Sequence, residues 1–335
     1  MFFGLSNALR RPAPRPAVAA PPVREARGWL VRDESIMGTA IRVELWSDDA
    51  AAGAAAIDAV MQEMHRIDWA MSPHKPQSEL SRINREAAER PVRLSEEMWG
   101  LVQQAVAFSR LSGGAFDITY ASVGALYDYR AGTGPSEAQR EQARALIGWE
   151  HLLLDPYARS LRFGRPGMRI DLGGFAKGHA VDNGVAILRR HGIRNAMVSA
   201  GGDSHVLGDR HGRPWTVAIR DPRNADGLVA VLPLEDVAIS TSGDYERYFE
   251  RDGVRHHHLI DPRTGRSPDR VRSVTILAAN GLTREALSKT VFVLGVERGL
   301  ELIEAQPGVD AVIVDAAGAL HYSSGLQGAG ATRQQ

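Results

Sequence analysis

The chain has 335 residues, 44% of them hydrophobic and 24% charged, so it can bury a large core and reads as globular. Its 40 Lys and Arg balance 40 Asp and Glu, and a net charge of zero lacks the basic footprint of a nucleic-acid binder. With no cysteine, a disulfide, a thiolate nucleophile and a cysteine-ligated metal site are all excluded, and the redox compartment leaves no mark.

Residues 1–28 are rich in Pro, Ala and Arg and are expected to form a disordered lead-in to one domain spanning 29–335. The apolar run at residues 2–9 is short, is broken by Ser6 and Asn7, and precedes the positive charges, unlike a secretory signal. The expected compartment is cytoplasmic by default, or periplasmic if the start site is misassigned. No later segment is long and apolar enough to cross a membrane.

Ile41, Val43 and Leu45 alternate with polar residues, which predicts a strand. Asp48 or Asp49 caps a helix whose buried stripe is Ile57, Val60, Met61, Met64, Ile67 and Met71. Ser95 caps a second helix, with Glu96 and Glu97 in its first turn. Residues 133–135 read as a loop. Residues 168–172 read as a short strand running into Gly173-Gly174, then a helix over about 175–191 stopped by Gly192. Further strands are expected at 195–200, 215–219, 228–234, 237–240 and 274–278, a helix at 284–294, and a hairpin of 309–314 with 319–322. Strands cluster without regular strand–helix alternation, which predicts an α+β fold with mixed or antiparallel sheets packed by helices.

Five segments carry candidate chemistry, each with an ordinary structural alternative. The run Gly113-Gly114-Ala115-Phe116-Asp117-Ile118-Thr119 is either a helix stop followed by a strand start, or exposed backbone that a ligand approaches, with Asp117 free to accept hydrogen bonds. The run from Asp171 through Gly173, Gly174 and Lys177 is a tight strand–helix turn or an anion site, since a helix N-terminus offers free N–H groups. It matches neither the Walker nor the Rossmann spacing. The runs Gly201-Gly202-Asp203 and Ser240-Thr241-Ser242-Gly243-Asp244 are turns or binders of phosphate or ribose oxygens. In His256-His257-His258-Leu259-Ile260-Asp261, strand alternation lets only His256 and His258 cooperate, too few for zinc. A single histidine beside Asp261 acting as base or donor is the better reading.

The order of these blocks is more specific than any one of them. Met37-Gly38-Thr39, Ser78-Glu79-Leu80, GGAFDIT, IDLGGFAKGHAVD, GGD, STSGDYERYF and HHLIDPRTG resemble the successive signatures of the ApbE family over residues 36–314. The resemblance implies a two-lobed fold with an FAD cleft between the lobes and FAD as substrate. It also implies a magnesium ion on the pyrophosphate and a partner protein whose Thr or Ser hydroxyl attacks the FMN phosphorus, releasing AMP. A pyrophosphatase yielding FMN and AMP, and a non-catalytic FAD-binding protein, are the alternatives.

Carried over by position, the resemblance implies that Met37, Ala115, Phe116, Asp117, Asp171 and Lys177 bind the flavin nucleotide. His74 stands where many members carry an aromatic residue. His258 is implied as base or phosphate contact, and the Gly174 carbonyl as a metal ligand. In the C-terminal helix, Glu285 stands for the family's metal-binding Asp and Lys289 for its Thr. A protonated lysine has three donors and no lone pair. The metal therefore keeps an extra water or moves towards Ser288 or Thr290, or Lys289 takes part of its charge role. The alternative is a surface ion pair between Glu285 and Lys289.

Overall fold

A computed structural model describes residues 28–224 and 226–327. The expected lead-in over 1–28 lies outside these residues except for Gly28. The architecture is α+β and centres on one eight-stranded sheet. Its neighbour order is Trp29–Ile36, Thr39–Trp46, Ala196–Ala200, Asp203–Leu207, Val237–Gly243, Val271–Ala278, Asp310–Asp315 and Leu320–Tyr322, and every pairing is antiparallel.

Alternation of apolar residues separates the two faces. Ile41, Val43 and Leu45 are fully buried, with Val43 opposite Val198 and Ile41 opposite Ala200. This face packs on the helices Ala50–Met71, Ala176–Arg190 and Gly281–Leu294. The Asp49 side chain caps the first of them by accepting from the Ala51 and Ala52 N–H groups, and the predicted stripe from Ile57 to Met71 is its buried side. On the other face, the hairpin Trp215–Arg220 with Leu228–Leu234 seats Trp215 against Val206, Ile239 and Leu277. A small three-stranded sheet and a second hairpin, Tyr248–Arg251 with Val254–His257, flank the main sheet. Among the described residues, no helix is long and apolar enough to cross a membrane.

Several local expectations differ from the structure for identifiable reasons. Residues 168–172 join no sheet. The Asn84 side chain takes the place of a neighbouring strand, accepting from the Ile170 N–H at 2.8 Å and donating to its carbonyl at 2.9 Å. After Gly113 and Gly114, both at positive φ, the chain enters a 3-10 turn, Ile118–Tyr120, rather than a strand. Ser240, Thr241 and Ser242 lie inside a sheet strand, not in a turn. Gly201 closes a tight hairpin at φ +61°, and the strand after it, Asp203–Leu207, escaped the sequence reading. The helix carrying Glu285 starts at Gly281 with Asn280 as its cap, three residues before the expected Arg284.

Candidate functional site

One cavity draws on elements far apart in the chain. It encloses about 530 Å³, part of it open to solvent. One wall is the segment Ala115, Phe116 and Asp117 with the turn at Asp171, Gly173 and Gly174. The other is His258, Ile260 and Pro262 with Lys289 from the C-terminal helix. Seven of the residues singled out in the sequence thus meet: Ala115, Phe116, Asp117, Asp171, Gly174, His258 and Lys289.

The turn at Gly173 is shaped by the Asp171 carboxylate, which accepts from the Gly173 N–H at 2.5 Å and from the Tyr120 hydroxyl at 3.2 Å. Burial pushes this carboxyl above its usual range, with the Gly173 and Tyr120 bonds opposing. Gly174 abuts the Phe116 ring so closely that a Cβ there would stand 3.0 Å from it. Phe116 in turn packs against Phe108 and Phe175.

Asp117 differs from expectation. It is buried, and its carboxylate is already taken by the Thr119 N–H and hydroxyl and by the Trp149 N–H, at 2.8, 2.7 and 2.9 Å. It caps the turn that presents the cavity wall and is not free to accept from a ligand.

His258 follows the hairpin strand, and its N–H donates to the Arg247 carbonyl at 3.0 Å. Its Nδ1 is buried with no hydrogen-bond partner among the described residues. Burial pushes its pKa down to about 3, and the positive charges of Lys289, Arg247 and Lys177 add to that. The imidazole is therefore neutral and lies in a positive potential. His257 and His256 point elsewhere. His257 Nε2 bonds the Pro268 carbonyl at 2.8 Å with the ring against Phe292, and His256 stacks on Phe249. Asp261 does not serve a histidine: both its oxygens hold Arg263, at 3.0 and 2.9 Å.

Behind the cavity lies a charge cluster. Glu285 is fully buried; its Oε1 accepts from Lys177 at 2.6 Å and Lys289 at 3.1 Å, and its Oε2 from the Gly178 N–H at 2.6 Å. Asp203 accepts from Lys177 at 2.5 Å, Arg284 at 3.0 Å and the Ser240 hydroxyl at 2.5 Å. Burial alone would lower Lys177 and raise Asp203. Their mutual attraction wins, so Lys177 is held above the usual lysine range and Asp203 below the usual carboxylate range. Burial lowers Lys289, against the pull of Glu285.

Two glycines make this cluster possible. A Cβ on Gly178 would stand 2.3 Å from the Gly281 carbonyl, so the two helices approach only because neither residue has a side chain. Lys177 thus faces Glu285 and Asp203 and does not line the cavity, and the Glu285–Lys289 pair is buried rather than superficial.

Met37 is a non-glycine residue at φ +55° in the turn between the first two strands and packs on the main core. The following Gly38 carbonyl accepts from Arg247 at 3.3 Å. His74 does not line the cavity, though it lies near enough to act on the Asp171 carboxyl. The sequence reading assigned no role to Tyr120, Arg247 or Arg284. Of these, Arg247 had a signal in its place in the STSGDYERYF block and Arg284 in its place directly before Glu285.

Magnesium needs near-octahedral oxygen ligands at about 2.0–2.1 Å. Glu285 is engaged at both oxygens by N–H donors, and Lys289 has no lone pair to offer. Ser288 faces the Ser242 and Ser240 hydroxyls, and Thr290 donates back to the Ala286 carbonyl of its own helix. Neither hydroxyl turns to the cavity, so the move of a metal towards them finds no support. Among the described residues, no group of three or more His, Asp or Glu side chains is placed to hold a metal ion. As arranged, the residues do not fit a divalent cation.

Comparison with known proteins places this geometry. The profile of the ApbE family matches residues 37–313. The FAD:protein FMN transferase of Treponema pallidum is 33% identical over 302 residues, covering 84% of this chain and 83% of that protein. That of Vibrio cholerae is 36% identical over 256 residues, covering 74% and 75%. Among solved structures, the ApbE protein from Thermotoga maritima superposes with a TM-score of 0.83 at 33% identity, over 89% of this chain and 98% of that one. The flavin transferase ApbE from Vibrio cholerae gives 0.80 at 29%, over 91% and 99%.

Proposed function

The chain belongs to the ApbE family, and on that premise we infer that it transfers the FMN moiety of FAD to an acceptor protein. The observation that carries this reading is the meeting of the Asp171–Gly174 turn, the unpartnered Nδ1 of His258 and the Lys289 ammonium at one cavity. A neutral imidazole in a positive potential, with a nitrogen lacking a partner, is suited to a hydroxyl nucleophile beside a phosphate.

In the proposed reaction, a Thr or Ser hydroxyl of the acceptor attacks the FMN phosphorus of FAD. A new O–P bond forms and the bond from that phosphorus to the bridging oxygen breaks, so AMP leaves with the bridging oxygen. The hydroxyl proton passes to His258, whose pKa rises once the pyrophosphate offsets the surrounding cations. Phosphoryl transfer of this kind depends on charge neutralisation and in-line placement more than on covalent help. The helix Ala176–Arg190 starts beside the Asp171–Gly174 turn, but its Ala176 and Gly178 N–H groups already donate to the Leu172 carbonyl and to Glu285, so the charge facing the anion is that of Lys289. Asp171 and the Ala115–Phe116 segment hold the nucleotide on one wall, with Met37 and His74 further out. Lys177 acts through Glu285 and Asp203, by fixing them. Of the magnesium ligands that the resemblance implies, only the Gly174 carbonyl is uncommitted among the described residues, since Glu285 is engaged at both oxygens and Lys289 has no lone pair.

AMP release from FAD, followed with and without an acceptor domain bearing a Thr or Ser flavinylation site, tests the reading. AMP formed only with acceptor supports transfer. AMP formed equally without it points to the pyrophosphatase, and FAD binding without AMP to a carrier.

A further inference from the structure

We propose that the Lys289 ammonium supplies the positive charge that a divalent cation would otherwise place on the pyrophosphate, so that this chain engages FAD without a divalent metal. The proposal takes the identity of its anion from the FMN-transfer reading, and nothing else.

The carboxylate geometry is the first support. Glu285 needs no second ammonium for its own satisfaction, because Lys177 at 2.6 Å and the Gly178 N–H at 2.6 Å already cover both oxygens. Lys289 sits at the longer distance of 3.1 Å and lines the cavity together with His258 and Gly174. A magnesium ion ligated by Glu285 would have to displace one of these ammoniums and then lie beside both.

Placement is the second support. Lys177 is shared by Asp203 and Glu285, and Arg284 is held by Asp203 with Asp182 also acting on it, whereas Lys289 pairs with Glu285 alone among the described residues and lines the cavity. A lysine ammonium on a phosphate group is an established form of recognition, acting as a compact point charge with three donors. Its place one helical turn after Glu285 holds the charge in position, so little reorganisation accompanies binding.

The test uses the full chain and reads binding. FAD affinity is measured by flavin fluorescence in EDTA and in magnesium, and Mn2+ binding to the FAD complex is followed by electron paramagnetic resonance. The wild type is expected to hold FAD equally well in EDTA and to show no stoichiometric Mn2+ site. Lys289→Met, which keeps length and removes charge, should bind FAD about tenfold more weakly in EDTA. Lys289→Thr should gain a Mn2+ site. A stoichiometric Mn2+ site in the wild type, loss of its FAD affinity in EDTA, or an unchanged affinity in Lys289→Met would each overturn the proposal. A wild type that holds FAD without metal but never labels an acceptor would sink the transfer reading and leave this one standing. Acceptor labelling that stops in EDTA would do the reverse.

Discussion

Lys177 and Glu285, 108 positions apart in the chain, meet at 2.6 Å where two helix N-termini converge. Glu285 has no exposed surface, so its charge depends on the donors around it. Removing one member of a buried ionic cluster leaves the others uncompensated, at about 3–5 kcal/mol. Glu285→Ala is expected to lose stability on that scale, because Lys177 and Lys289 would repel each other across the gap. Chemical denaturation checks this; a loss no larger than that of a surface substitution would mean that water enters and screens the cluster.

Gly178 and Gly281 set the distance between the same two helices. Gly178→Ala forces a Cβ to 2.3 Å from the Gly281 carbonyl, which is backbone and cannot rotate away. The expected cost is about 1–3 kcal/mol, as for other overpacked contacts. FAD affinity should fall with it, since the shift carries Lys289. Thermal unfolding and flavin titration on one preparation would separate the two effects.

His258 and His257 are adjacent in sequence but differ in role. His258→Ala should slow transfer by about 10²–10⁴-fold while FAD affinity changes little. His257→Ala should leave the single-turnover rate intact but lower stability, because it removes a bond to the Pro268 carbonyl and a ring packed on Phe292. His258 also bears on acid stability. Its folded pKa is depressed to about 3, so the folded state binds fewer protons than the unfolded state below the usual histidine range. Its contribution is fully present above about 6.5 and is lost as pH falls from there towards 3. His258→Ala should therefore flatten the stability profile between pH 6 and 4, as urea midpoints along that range would reveal (about one histidine's worth of protons).

Glu97 ties three helices together, accepting from His179 at 2.8 Å and from Arg66 at 2.7 and 2.8 Å. Those bonds, His179's first, hold its carboxyl down to about 2. The stabilisation is present above the usual glutamate range and disappears as pH falls towards 2. Because the group is partly open to water, Glu97→Gln should cost only about 0.5–1 kcal/mol at neutral pH. The gap between variant and wild type should close in acid; a gap that persists at low pH would assign it to packing.

Much of the fold was legible because its signals are local. Alternation at Ile41, Val43 and Leu45, the caps Asp49 and Ser95, and the stop at Gly192 each follow from a few neighbouring residues. Of the residues named from the ordered glycine turns and their neighbours, seven line one cavity, whereas Met37, His74, Lys177 and Glu285 do not. What stayed hidden depends on distant partners. Asn84 replacing a strand beside Ile170, Asp117 committed to Thr119 and Trp149, and Lys177 turned from the cavity towards Asp203 have no signature within a local window. Asp203 itself was visible only as a turn residue after two glycines. Its role as the acceptor of Lys177 and Arg284 appears once the sheet is assembled.

The measurement that bears most directly on the central claim is the intact mass of an acceptor domain after incubation with this chain and FAD, with AMP quantified in the same sample. The account predicts an acceptor heavier by one FMN bound through a hydroxyl, and one AMP for each acceptor labelled. An acceptor of unchanged mass, with FAD either intact or split into free FMN and AMP, would contradict it.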